Sequence, residues 1–463
     1  LFSTSTFQHQ HQKEKTMSTP KKLHSNRRDF LKTTGVIAAG TLLTSGVSRF
    51  VHAGENNTIK IALVGCGGRG TGAASQALST KGPTKLVAVA DFFAGRANAT
   101  CDMLKGEHGE KADVPQEHRF AGLDAYKHAI DLLGPGDVVL LATPPAFRPP
   151  HVEYAVDKGV NVFMEKSFAV DAPGVRRIRK AGERAKEKNL KVASGLMSRH
   201  SYALGSAIDQ VHQGAIGDLV TCWAYRMHGV VGFAPKSPDE TELAHQIRNY
   251  SNYTWLNGSF LLDWLIHNLD ICCWAKGMIP VSAQAMGGRH VRTEKDQLFD
   301  HYGAEYRFPD GTTLFAHGRH LNNCWGFFGS VLQGTKGSAV LGEGISQPKL
   351  YKTWKRAPED MIWEHKGEFN QFYQTEHDLF FDAIRNDKPH NETKYSADAT
   401  MVGILGLMAV ETGQEVTWEQ AENSNVSLAP GLETMTADGP APVLPDADGN
   451  YPIAKPGISS IWT

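Results

Sequence analysis

The stretch from residue 58 to residue 91 constrains this chain more than any other. Residues 58–65 alternate and then run apolar, as a buried parallel strand does. The run ends in Gly65-Cys66-Gly67-Gly68-Arg69-Gly70, a G-x-G-x-x-G loop, and an alanine-rich helical stretch follows over 71–78. A second apolar run over 85–91 ends in Asp91, 21 residues after Gly70. Strand, glycine loop, helix, strand and acid in this register open a dinucleotide-binding fold. Gly65 permits the tight turn, Gly67 lets backbone approach a pyrophosphate, and Gly70 lets helix and strand pack closely. The helix start, with Cys66, Gly68 and Arg69 around it, offers unpaired N–H groups to phosphate. Asp91 stands where a carboxylate reaches an adenosine ribose, and its charge favours NAD over NADP. Arg96, one turn on, keeps NADP possible.

The alternation continues through 137–143 (ending Thr143-Pro144), a helix starting near Pro150, a strand over 160–166 ending Glu165-Lys166, a helix over 172–188 and a strand over 190–195. This predicts an α/β Rossmann domain over 54–195, a doubly wound parallel sheet with its ligand at the strand C-termini. Thr143, Pro144, Glu165 and Lys166 then face the cofactor. From about residue 219 the pattern turns strand-rich, with runs over 219–227, 281–286, 301–308, 312–317, 327–332 and 338–341. One helix is expected over 259–276. An α+β domain with a large, mainly antiparallel sheet is therefore expected over 196–421. Helices over 372–386 and 397–412 should pack back on the first domain. Residues 422–463, rich in Pro, Gly and Asp, read as an extended tail.

A length of 463 residues suits two or three domains. Six cysteines without a CxxC pair exclude a disulfide scaffold and a cysteine-rich zinc module. The first 53 residues read as a twin-arginine export signal: Arg27-Arg28 before Phe30-Leu31-Lys32, a mildly apolar stretch over 35–47, and a small-residue cleavage site at Val51-His52-Ala53. Met17 is the candidate true start. These 53 residues hold eight basic and two acidic side chains, leaving 40 and 47, a net charge of −7, for the rest. An acidic body argues against nucleic-acid binding and against adhesion to an anionic membrane. No apolar run after residue 53 is long enough to span a bilayer.

Asp263 and His267 lie four apart, on one face of the expected helix, and Asp270 lies three further on. A histidine with a carboxylate one turn away can work as a general acid or base, although such pairs are often structural. Asp270 reads as a helix or domain contact. Lys166, at a strand end of the nucleotide fold, lies near the expected nicotinamide. Arg199 and His200 follow the last Rossmann strand and are candidate substrate contacts. Tyr225, Trp255, Trp264 and Trp325 can stack on sugars but read first as core or interface aromatics. His301, His317 and His320 lack a recognised ligand spacing, and residues three apart on a strand face opposite ways, so no metal site is expected.

Together the Gly65–Gly70 loop, the Glu165-Lys166 step and the Asp263/His267 spacing resemble the Gfo/Idh/MocA oxidoreductases. The resemblance covers nearly all of residues 58–420 and extends to Gly334-Thr335-Lys336-Gly337 and to the stretch 411–418. It implies a Rossmann domain plus an open-faced antiparallel sheet that often forms an oligomer contact, hence a homo-oligomer (dimer or tetramer). It also implies sugar or cyclitol substrates, NAD or NADP, and a catalytic trio of Lys166, Asp263 and His267. The twin-arginine start and the residues after His267 resemble secreted members. One departure is Ser167, where the family carries proline after the lysine; without it the backbone after Lys166 is freer.

The implied chemistry is hydride transfer from a carbohydrate hydroxyl carbon. His267 takes the hydroxyl proton, Asp263 orients His267 or bonds the neighbouring hydroxyl, and Lys166 stabilises the alkoxide. Export raises the question of cofactor supply and favours a tightly bound, recycled cofactor. An NAD-dependent glycosidase, working by oxidation, elimination, hydration and reduction, uses the same residues. A non-catalytic sugar-binding protein of this fold is the rival from another class.

Overall fold

The computed structural model describes residues 57–342, 347–459 and 462. The twin-arginine segment, Met17 and the cleavage site lie outside them. The described residues cluster as one unit that holds two sheets.

The first sheet comprises β1 (Ile59–Val64), β2 (Thr84–Asp91), β3 (Arg119–Ala121), β4 (Val138–Leu141), β5 (Asn161–Met164) and β6 (Val192–Ser194). Its order is β3-β2-β1-β4-β5-β6 and every pairing is parallel. Strands β4 and β5 are buried along their whole length, which explains the apolar runs Val138–Leu141 and Val162–Met164. Alternate residues feed opposite faces. Leu63, Leu140 and Phe163 pack with α1 (Gly68–Leu78) and α2 (Ala94–His108). Val64, Leu141 and Val162 pack with α3 (Ala125–Ile130), α4 (Arg148–Asp157) and α5 (Ala172–Glu187).

After α6 (Tyr202–His212) comes β7 (Leu219–His228), followed by α7 (Glu242–Arg248), α8 (Thr254–Asn257), α9 (Phe260–Asp263) and α10 (Ile266–Lys276). Strands β8 (Ser282–Gly288), β9 (His301–Arg307), β10 (Thr313–His320), β11 (Phe327–Gly334), β12 (Gly337–Gly342), β13 (Lys349–Tyr351) and β14 (Met361–Glu364) continue the second sheet. Helices α11 (Phe372–Arg385) and α12 (Thr393–Thr412), strand β15 (Val416–Thr417) and helix α13 (Trp418–Glu422) follow. The nine strands run β14-β13-β12-β11-β7-β10-β9-β8-β15, antiparallel except where β7 lies parallel to β10. The turn at Pro309-Asp310-Gly311 joins β9 to β10, and Gly311 takes φ +86° there, a conformation that glycine supplies cheaply.

Period-two burial gives this sheet two unlike faces. Cys222, Ala224, Ala304, Tyr306, Leu314 and Ala316 are buried beneath the helices. On the other face Trp223, Tyr225, Phe315 and His317 are partly exposed and stack on one another, with Trp223 4.4 Å from Phe315. His317 and His320 therefore point to opposite faces, and His320 bonds the Phe299 carbonyl oxygen at 2.7 Å. Among the described residues no group of three His, Cys, Asp or Glu could hold a metal, and no helix is long and apolar enough to cross a membrane.

Two late helices join the sheets. Helix α11 packs on α1 through Phe380 and Phe381, and α12, buried almost throughout, packs against α5, α10 and β8. The chain after α13 runs back over the first domain and α7. Asp171, the N-cap of α5, accepts from Gly174 N and from Leu428 N, both at 2.8 Å. Gln246 Nε2 donates to the Val443 carbonyl at 2.6 Å, and Tyr451 packs on Tyr253.

Candidate active site

The glycine loop leaves β1 beside the end of β4, where strand order reverses and a crevice opens. Gly65 takes φ +101°, and a Cβ there would stand 2.5 Å from the Ala142 carbonyl carbon. A Cβ on Gly70 would stand 1.9 Å from the Gly65 carbonyl oxygen. Both positions are sterically closed. At Gly67 and Gly68 a Cβ would meet nothing within 4 Å, because these two face the cleft. Helix α1 has no side-chain cap and no acidic residue in its first turn. Its N–H groups and dipole are thus presented to the cleft, as phosphate requires. The cleft lies between the loop, Asp91, Thr143, Pro144 and Tyr250. Shape, dipole and glycine spacing fit a dinucleotide.

Asp91, at the end of β2, accepts from Cys66 N at 2.7 Å and from Phe93 N at 2.9 Å. It ties the loop to the second strand while lining the cleft with Arg96. Cys66 is buried, and burial pushes its thiol well up, so it stays protonated and inert. Arg69 turns away from the loop. Its Nε bonds Glu165 Oε1 at 2.5 Å, and its Nη2 lies 3.3 Å from buried Glu376. Glu165 thus serves as an anchor for Arg69. Gly195 makes room for it, since a Cβ there would lie 2.5 Å from Glu165 Oε2. Beyond Thr143, buried Arg148 donates to the Leu141 carbonyl and to the Thr143 carbonyl (2.6 Å), fixing the exit of β4.

Lys166 leaves β5 toward the second domain. Its Nζ donates to Asp263 Oδ1 at 2.5 Å and also to the Asp263 backbone carbonyl. The helix expected over 259–276 is broken at Trp264-Leu265 into α9 and α10. The break leaves Asp263 at the end of a short helix capped by Ser259, with its carbonyl turned to Lys166. Position 167, serine in place of proline, is held by its own hydroxyl, which donates to the Leu262 carbonyl. The other oxygen of Asp263 receives Ser251 Oγ and Asn257 Nδ2, each at 3.3 Å.

His267, in the first turn of α10, is buried with the Phe328 ring edge-on at 6.1 Å. Burial, then the charges of Lys166 and Arg226, hold its imidazole well below the usual histidine range, so it is neutral at pH 7. Lys166, Asp263 and His267 therefore gather together, and Tyr250, which lines the cleft, lies near enough to Asp263 to feel its charge.

Arg199 and His200 go elsewhere. Arg199 forms a two-pronged pair with Asp270, 2.7 Å for each bond, between the rings of Trp274 and Tyr395. His200 is buried 3.5 Å from Glu392 and held down at about 4, chiefly by burial. Both are packed into the joint between the domains. Tyr250, Ser251, Asn257 and Arg148 escaped the sequence reading. The stretch around 249–257 has no periodic pattern, and its partners are distant in the chain.

The fold and the cleft define a two-domain protein built on a dinucleotide-binding Rossmann unit. Residues 59–196 match the oxidoreductase family, NAD-binding Rossmann fold, of Gfo/Idh/MocA proteins. Inositol 2-dehydrogenase of Ralstonia nicotianae is 28% identical over 247 residues, which span 52% of this chain and 62% of that protein. The aligned region thus covers less than two thirds of that relative. The two-domain fold recurs in scyllo-inositol dehydrogenase of Lactobacillus casei, solved with NAD(H) and scyllo-inositol, at TM-score 0.58 and 21% identity, over 78% of this chain and 100% of that one. It recurs also in aldose-aldose oxidoreductase of Caulobacter crescentus, solved with glycerol, at TM-score 0.60 and 18% identity, over 78% and 100% of the two chains.

Proposed function

We propose that this protein is an NAD-dependent dehydrogenase that oxidises a secondary hydroxyl of a cyclitol or sugar. The Lys166–Asp263 pair at 2.5 Å, beside neutral His267 and next to the glycine-loop cleft, carries this reading. The names of the relatives, which act on inositols and aldoses, support the substrate class.

Gly67, Gly68 and the start of α1 would hold the pyrophosphate, and Asp91 the adenosine ribose. When bound, the nicotinamide supplies a hydride acceptor. His267 accepts the hydroxyl proton, which an uncharged imidazole can do without first losing one. The Lys166 ammonium stabilises the negative charge growing on the substrate oxygen. Asp263 holds that ammonium in place, and Ser251 and Asn257 hold Asp263. The proposal includes a resident, recycled cofactor and export through the segment around Arg27-Arg28.

The test is to denature the purified protein, identify any released nicotinamide cofactor by mass spectrometry, and then follow absorbance at 340 nm with added NAD and inositols or aldoses. Stoichiometric NAD(H) and turnover support the proposal. Released NADP(H) overturns the choice of NAD, and an empty protein that turns over with added NAD overturns the resident cofactor. A protein that neither holds nor takes up nicotinamide cofactor overturns the dehydrogenase.

A further inference from the structure

Tyr250 is the residue that touches both halves of the site. It sits in the short turn Tyr250–Asn252 between α7 and α8. It lines the cofactor cleft together with Thr143 and Pro144, and the residue is 37% exposed. The next residue, Ser251, donates to Asp263 Oδ2. The turn is rigidly placed: Asn252 Nδ2 donates to the Gly232 carbonyl at 3.0 Å, and Arg292 Nη2 donates to Asn252 Oδ1 at 3.1 Å. A ring held this way costs little to order when a ligand arrives.

We propose that the Tyr250 phenol binds the substrate, donating a hydrogen bond to the hydroxyl adjacent to the reacting carbon of a vicinal diol. The inference rests on the dehydrogenase reading and adds a substrate contact to it. The direction of the bond follows from the surroundings. Asp263 first, then burial and Glu165, push the phenol well above its ordinary range, so it remains a donor across the working pH range. Acceptor charge is already plentiful here, in Asp263 and Glu165; a polyol oxygen needs a neutral donor, and Tyr250, whose phenol also neighbours the Ser251 hydroxyl, is the tyrosine that lines the cleft nearest them. The partially exposed ring also forms a wall on which the carbon skeleton of the substrate can rest.

The test is Tyr250→Phe in the full chain, which keeps the ring and its packing. The probes are NAD titration and steady-state oxidation of myo-inositol, scyllo-inositol and D-glucose, each beside its analogue lacking the hydroxyl adjacent to the oxidised carbon. The expected result is a KM about tenfold higher for the intact substrate, a larger change than in NAD affinity or kcat. The variant should also lose the preference of wild type for the intact polyol over the deoxy analogue, which a merely structural role would not move. A KM within twofold of wild type overturns the inference and leaves the dehydrogenase standing. Loss of NAD affinity also overturns it, because Tyr250 then belongs to the cofactor pocket. A wild-type protein that binds NAD but oxidises none of the probes removes the reading and the inference together.

Discussion

The Nζ of Lys166, at the end of a Rossmann strand, lies 2.5 Å from Oδ1 of Asp263, at the end of a broken helix in the second domain. The contact spans 97 residues of chain and puts the only cross-domain ion pair of the proposed trio at the cleft. Removing the ammonium should remove the stabilised oxyanion and leave the cofactor cradle intact. Lys166→Ala is expected to lower kcat/KM by about 10²–10⁴-fold with NAD affinity little changed. Steady-state rates beside an NAD titration check this, and undiminished activity would sink the mechanism.

The acid limb of the pH profile should report His267. The base must be neutral to act, and burial and neighbouring cations hold its pKa well below 6.5. Lowering the pKa extends the neutral form toward acid pH, so kcat/KM should stay level from pH 7 down through pH 6. An ordinary histidine would halve the rate near pH 6.5. His267→Asn should lose about 10²-fold or more at every pH. A wild-type acid limb centred at 6.5 would show that another group is the base.

The first domain was legible because its cues are local. Gly65, Gly67, Gly70 and Asp91 mark the strand–loop–helix–strand unit by their spacing, and buried parallel strands announce themselves as apolar runs. The short strands β3, β13, β14 and β15 carry no sequence signal, since two to four residues are too few to show a period. The break in the helix around Asp263 was not legible either. Residues 259–276 have good helical spacing, and the carbonyls of Leu262 and Asp263 at the break are taken by Ser167 and Lys166, which are distant in the chain. Arg199 looked available for substrate because nothing near it in sequence shows Asp270 facing it. Tyr250 was silent for the same reason: its neighbours are assembled by tertiary structure.

The four loop glycines should separate into two classes. Gly70→Ala drives a Cβ to 1.9 Å from the Gly65 carbonyl oxygen, so the variant should melt several degrees lower even without NAD. Gly67→Ala meets no protein atom within 4 Å and should melt as wild type does. It should nevertheless lose NAD affinity by about tenfold or more, because the space it fills belongs to the pyrophosphate. Thermal melts with and without NAD check both, and a Gly67→Ala protein that binds NAD normally would remove the phosphate from this loop.

Arg199 and Asp270 test the distinction between joint and substrate contact. Each side chain is largely buried, and the pair is bidentate. Removing one partner leaves the other charge buried and unpaired, which costs about 3–5 kcal/mol. Arg199→Ala should therefore lower the urea midpoint strongly, and adding Asp270→Ala should recover part of the loss. KM for the substrate of the surviving folded protein should hardly move. A large KM change with an unchanged midpoint would put Arg199 in the substrate site.

Glu411 gives a stability test that involves none of the proposed catalytic side chains. It is buried at the end of α12, where Trp462 Nε1 donates to its Oε2 at 2.7 Å. Burial raises its carboxyl from the usual 4.5 to about 7. A raised folded-state pKa means that the native protein binds this proton more tightly than the unfolded chain does. The favourable contribution is complete below about pH 4.5 and is lost as pH rises through 7. Above that, a bare carboxylate is buried at a cost of up to about 3 kcal/mol, since a tenfold change in proton affinity is worth about 1.4 kcal/mol. Glu411→Gln keeps an oxygen acceptor for Trp462 and carries no charge. Its melting temperature should match wild type at pH 4.5 and exceed it at pH 8. Urea denaturation at the two pH values measures the difference directly. A variant less stable than wild type at pH 8 would mean that Glu411 has a cationic partner in solution, and its carboxylate would then be a stabilising group.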